Sequence, residues 1–200
     1  TTCCTLTSAV ASVKVQQVVV DQDGDSQTAV SANALSVTFL DDGPTAGTPQ
    51  AVTGTAILDE TGGLDSNVSV SINGAAMFAG ASTGQDGNGS TAYYLTVGQT
   101  NTGLYLVTDQ AHANPLTLVG DANTSVTVNG TTYYTSYTAY ANPGALSGPG
   151  FSLSINATTG AITVSQLDEL DHPITTDAND ALTLATADVK VQQVVVDQDG

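Results

Sequence analysis

Arginine is missing from this sequence, and only two lysines, Lys14 and Lys190, stand against nineteen aspartates and glutamates. The formal charge is −17, well beyond the magnitude of roughly 2–8 that suits a small soluble domain. At most two acids can find a basic side chain, so the rest are solvated or bound to cations. Partners that present phosphate, whether nucleic acid or an anionic membrane, are excluded because they need Lys and Arg to neutralise them. Catalysis built on arginine clamps goes with them. No apolar run reaches the roughly 20 residues of a membrane helix, and no basic segment followed by an apolar one stands at the N-terminus. The two cysteines, Cys3 and Cys4, are adjacent. Neighbours rarely form an unstrained disulfide, so they define no framework. Tryptophan is absent, methionine occurs once, and helix formers such as Glu, Lys and Arg are scarce.

What remains is Val, Ala, Leu and Ile among abundant Thr, Ser and Gly, a mixture that favours strands and turns. Hydrophobic residues make up 40% of the chain, enough to build a core. Val-rich or alternating segments that read as strands lie at 13–20, 31–40, 51–58, 67–72, 91–97, 103–108, 115–119, 124–129, 131–138, 151–157, 161–166 and 181–187. Asn129-Gly130 between SVTV and TTYY signals a two-residue hairpin, and Asn156–Gly160 a longer one. The stretch GASTGQDGNGS at 80–90 is a loop. Short strands with turns every eight to twelve residues indicate an all-β fold, an antiparallel immunoglobulin-like β-sandwich. At this size it is either one elaborated sandwich or two fused ones.

Comparison of the two ends reveals an internal repeat. Residues 13–24 read VKVQQVVVDQDG, and residues 189–200 read the same twelve letters, an offset of 176. Looser identity continues upstream, where Leu6, Thr7, Ala9 and Ala11 match Leu182, Thr183, Ala185 and Ala187. A fixed period is the signature of a repeat array. The expected organisation is residues 1–44 as the C-terminal part of one unit and 45–200 as most of the next, meeting near the turn Asp41-Asp42-Gly43-Pro44.

The acids cluster. Asp21, Asp23 and Asp25 alternate in DQDGD, and the second copy supplies Asp197 and Asp199. Asp41 and Asp42 sit at the expected boundary, Asp59 and Glu60 follow the next strand candidate, and Asp168, Glu169 and Asp171 precede His172. Clusters that cannot pair with Lys or Arg ask for a hard cation. Calcium takes six to eight oxygens in flexible geometry, whereas magnesium demands a stricter octahedron and zinc prefers His or Cys. Asp21, Asp23, Asp25, Asp41, Asp42, Asp59, Glu60, Asp197 and Asp199 are therefore the candidate Ca2+ ligands. DQDGD is not an EF-hand loop, which needs Gly at its sixth position and Glu at its twelfth. A solvated hairpin turn would also use Asp and Gly.

Catalytic signals are thin. Gly80–Gly84 fits G-x-S-x-G, with Asp168 and His172 following in hydrolase order, but that motif needs a helix after the serine and QDGNGS follows instead. His112 and His172 lack partners at metal-ligand spacing and read as loop residues. The tyrosines of TAYYL and TTYYTSYTAY, Tyr133 and Tyr134 among them, read as strand aromatics, with a glycan-binding platform as the alternative. No enzyme is expected.

The DQDGD turn, the junction DDGPT at Asp41–Thr45, the acidic pair Asp59-Glu60 and the stretch FSLSINATTGAITVSQLDELDHP, in this order, resemble the tandem immunoglobulin-like repeats of giant RTX-type bacterial adhesins exported by type I secretion. The resemblance spans most of residues 13–200. It implies an extracellular, cell-surface protein in which calcium rigidifies the junctions between neighbouring repeats and the array serves as an extender in adhesion or biofilm. The nonapeptide secretion block and an anchor are lacking, so export and attachment rest on the resemblance. Two alternatives stand beside it: a self-assembling filament or surface-layer subunit whose identical copies join by strand addition, and a glycan-binding sandwich.

Overall fold

The computed structural model describes residues 13–35, 38, 40, 42–60, 63–85, 87–174, 181–184 and 188–198. The chain divides into two compact units, Thr1–Asp41 and Asp42–Gly200. Both are all-β, with antiparallel pairing throughout and no α-helix among the described residues.

The described part of the first unit is one hairpin. Gln16–Val20 (β1) pairs with Ser26–Val30 (β2), from Gln16 opposite Val30 to Val20 opposite Ser26. Both strands are exposed along their whole length. The strand expected at 31–40 is thus displaced: pairing begins at Ser26 and ends at Val30, and the described residues beyond it are not strand. The tight closure at Asp21–Asp25 is the cause, since it puts β2 in register directly after the turn. Residues 36, 37 and 39 of that expectation lie outside the described residues.

The second unit begins with two short strands, Thr48–Pro49 (β3) and Val68–Ser69 (β4), a 3-10 turn at Gly74–Met77, and Phe78–Ala79 (β5), which pairs with β3. The long strand Ser90–Val97 (β6) follows. Then come Thr117–Gly120 (β7), Ser125–Val128 (β8), Thr131–Tyr134 (β9), Ser136–Asn142 (β10), Ser147–Ile155 (β11), Ile162–Gln166 (β12) and Val189–Val196 (β13). They form a five-stranded sheet, β4-β12-β11-β10-β7, and a four-stranded sheet, β13-β6-β9-β8. Neither sheet closes into a barrel, and the arrangement is that of a β-sandwich.

The alternation that marked the strands in the sequence builds the core. On β11, Phe151, Leu153 and Ile155 are buried, and they meet Tyr137 and Ala139 of β10, Leu118 of β7, Ile162 of β12 and Tyr93 and Leu95 of β6. Leu116 is completely enclosed at 0% exposure. Tyr134 packs against this cluster and meets Tyr137 edge-on. Asn129 and Gly130 close the β8–β9 hairpin with positive φ at both residues, 49° and 78°, the twist-matched turn that their types favour.

Three expectations fail in the second unit. Residues 51–58 are not strand, and 103–108 contributes only a bridge, Leu106 to Leu170. The strand expected at 181–187 is irregular over 181–184, and 185–187 lie outside the described residues. Val and Leu content drove these readings, but the central ladders are already filled by β6, β10, β11 and β12. Residues 131–138 also split, at Thr135, into β9 and β10, which belong to different sheets.

The two copies of VKVQQVVV occupy different settings. As β1 the segment is exposed and pairs with β2. As β13 it pairs with β6 over eight residues, from Val189 opposite Val97 to Val196 opposite Ser90. Gln193 of that copy is buried at 8% exposure; its Oε1 accepts the Gly47 N–H at 2.7 Å, and its Nε2 lies 3.4 Å from the Tyr93 hydroxyl. The equivalent Gln17 is exposed.

Candidate metal-binding site

The hairpin turn gathers three carboxylates. The Asp21 N–H donates to the Asp25 carbonyl at 3.0 Å, closing the loop, and Gly24 takes φ 98°, a conformation that costs glycine no side-chain clash. The Asp21 side chain is then locked inward: Oδ1 accepts the backbone N–H of Gly24 at 3.1 Å and of Asp25 at 2.9 Å. One oxygen from each of Asp21, Asp23 and Asp25 falls within 4.8 Å of the others.

That spacing suits calcium. Oxygens across a calcium ion from one another are separated by at most twice the metal–oxygen distance, about 4.6–5.2 Å. Three exposed carboxylates leave the remaining positions to carbonyls and water, which the flexible six- to eight-oxygen coordination of calcium accommodates more readily than the near-ideal octahedron magnesium demands. The Asp21 carboxyl is held below its usual range, chiefly by its side-chain interaction with Asp23, with the backbone N–H groups of Asp25, Gly24 and Asp23 adding to this against opposing desolvation. A cation among clustered carboxylates would offset their mutual repulsion. Neither lysine does it: Lys14 Nζ lies 3.4 Å from the Ala32 carbonyl, and Lys190 pairs with Asp188 at 2.7 Å.

The other candidate ligands are dispersed. Asp41 and Asp199 lie outside the described residues. Asp42 is exposed and accepts the Gln85 N–H at 3.1 Å. The Asp59 N–H donates to the Asp65 carboxylate at 2.9 Å. Glu60 faces inward on the second unit: one carboxylate oxygen accepts from the Gln166 side chain and from the Leu170 N–H, and the other lies 3.9 Å from His172 Nε2. Its role is to tie the segment after β12 to the sheet. Asp197, at the end of β13, is half-buried. Asp168 and Asp171 are likewise engaged elsewhere. Asp168 accepts the Glu169 N–H at 2.9 Å, and Asp171 meets His112 Nε2 at 2.5 Å while the His112 ring stacks on Tyr105. Among the described residues, Asp21, Asp23 and Asp25 form the one group of three that converges as metal ligands would.

Two glutamines and one aspartate escaped the reading of the sequence. Gln166 and Gln193 are buried polar anchors, and Asp109 caps the loop before β7, accepting the N–H groups of Asn114 at 2.6 Å and Ala113 at 3.2 Å. Polar residues inside a Val-rich strand are the only signal that could have marked the glutamines. In the G-x-S-x-G match, Ser82 forms a bridge with Thr45, and the described residues from Thr83 to Gly89 contain no helix.

A family model described as a domain of unknown function (DUF5801) matches residues 55–200. The chain belongs to that family, whose matched region contains the sandwich and the second copy of the repeat but not the first acidic turn. No curated protein and no solved structure matches the chain.

Proposed function

We propose that this chain is a calcium-stabilised, immunoglobulin-like structural repeat of a long extracellular bacterial surface protein, an extender in cell adhesion or biofilm whose work is mechanical rather than catalytic. The observation that carries the proposal is the convergence of Asp21, Asp23 and Asp25 at a turn whose sequence recurs, letter for letter through Gly24, at residues 197–200. Repetition of a unit supports an array, and repetition of its acidic sequence supports a cation at each unit. With a net charge of −17 and two committed lysines, self-repulsion opposes compaction of the chain. Calcium at the turns removes part of that repulsion and stiffens the strand ends that carry the ligands. Its partners are neighbouring repeats of the same kind.

Small-angle scattering of the chain in millimolar calcium, in magnesium and in chelator tests the extender reading. One defined maximum dimension in calcium, giving way to a broad distribution in chelator and not restored by magnesium, is the expected result. Superimposable curves in all three conditions would contradict it.

A further inference from the structure

The identical segment uses opposite edges in its two settings. Backbone N–H and C=O groups of successive residues in a strand point to opposite edges. In the hairpin, the Ser31 N–H donates to the Val15 carbonyl and the Asp21 N–H to the Asp25 carbonyl, so the odd-numbered residues of β1 face β2. In the sandwich, the Gly98 N–H donates to the Asp188 carbonyl and the β13–β6 register continues unbroken to Val196, so the even-numbered residues of β13 face β6. The offset of 176 is even. The groups that face β2 in the first copy are therefore those of Val191, Gln193 and Val195 in the second. There β13 is the last strand of its sheet, and none of these three makes a backbone hydrogen bond to another described residue.

We infer that the open edge of β13 receives a strand of the β2 sequence, SQTAV, following the DQDG sequence of 197–200 as it follows that of 21–24, and that this strand completes a five-stranded sheet with β13 second from its edge. The register is set by the first copy: Gln17 opposite Ala29 and Val19 opposite Gln27 place that alanine and glutamine opposite Gln193 and Val195. The first hairpin gives the complementary view, because the edge of β1 that β6 would occupy pairs with no other described strand and Val18, Val19 and Val20 are 56–61% exposed.

Completion also changes where the chain leaves the unit. The loop before β6 touches both ends of the second unit's path. Gln85 donates to Asp42 where the chain comes in, and the Gly89 backbone lies against Val196 and Asp197 where β13 stops. Without the extra strand the chain comes in and goes out at one end. Five residues returning antiparallel carry it roughly 17 Å towards the other, which is what an extended array requires. This consequence deepens the extender reading; the strand pairing itself stands without it.

The test appends to Gly200 of the full chain the residues that follow Gly24, DSQTAVSANALS, and measures amide hydrogen exchange in chelator. Exchange at Val191, Gln193 and Val195 should slow at least about tenfold relative to the unextended chain, in a species of monomeric mass. An otherwise identical extension with proline at the positions of Gln27 and Ala29 removes two of the three ladder donors and should give no protection. Unchanged exchange in the extended chain, or equal protection with the proline variant, would overturn the inference. Protection confined to dimers would assign the edge to a second copy and overturn completion within one chain. Because calcium is absent, failure here leaves the calcium reading untouched, and failure of that reading leaves this result intact.

Discussion

Replacing Gln193 by alanine separates the two settings of the repeated segment. Gln193 Oε1 is the acceptor for the N–H of Gly47, a buried residue, at 2.7 Å, and no other described group is bonded to that N–H. Truncation strands a buried donor, which costs about 1–3 kcal/mol. Taking about 2 kcal/mol, and about 2–4 °C per kcal/mol for a domain of 150–250 residues, the midpoint of the second unit should fall by roughly 4–8 °C. Gln17→Ala, made within the same twelve-residue sequence, removes an exposed side chain and should stay within about 0.5 kcal/mol of the parent. Thermal unfolding by calorimetry or circular dichroism reads both variants. Equal midpoints for the two variants would refute the argument that the sandwich, rather than the local sequence, gives Gln193 its role.

Leu116→Ala should destabilise the second unit by about 3 kcal/mol, because the side chain is fully enclosed and its loss leaves a cavity; a denaturant midpoint shift with unchanged slope checks it. Asp109 is held below its ordinary value of 3.8, chiefly by the Asn114 N–H and further by the Ala113 N–H, against opposing desolvation. A carboxylate depressed in the folded state contributes stability that is complete above its unfolded pKa and is lost as pH falls through the folded one. The loop before β7 should therefore keep its structure on acidification past pH 3.8, and a carboxyl carbon titration by NMR should place Asp109 below that value. Asp23→Asn should weaken calcium binding at the hairpin at least about tenfold by titration calorimetry, whereas Asp59→Asn, outside the cluster, should leave it unchanged.

The long ladders were legible in the sequence because alternation and turn chemistry agreed there. Residues 91–97, 124–129 and 161–166 carry both signals, and Asn129-Gly130 dictates its own turn. The failures have two causes. The strand expected at 31–40 is displaced by the local turn at Asp21–Asp25, which starts the pairing at Ser26; segments 51–58 and 103–108 have strand composition, but whether a segment pairs depends on which edges remain open, and that is settled by tertiary contacts. The candidate site divides along the same line. Asp21, Asp23 and Asp25 converge because two-residue spacing across a closed turn is local geometry. Glu60 has the same composition signal, but the buried side chain of Gln166, more than a hundred residues away, claims its carboxylate. The identity of 13–24 with 189–200 was plain from the letters. That the copies use opposite edges required the hydrogen bonds.

The central claim, that calcium holds the acidic turn, is tested most directly by thermal unfolding followed at the hairpin's own amides, Asp25 and Gln27 among them, in millimolar calcium, in magnesium and in chelator. The account predicts a higher midpoint for these amides in calcium than in magnesium or chelator, abolished in the variant with Asp21, Asp23 and Asp25 all changed to Asn. Coincident melting in all three conditions would contradict it, leaving Asp21, Asp23 and Asp25 as a solvated turn.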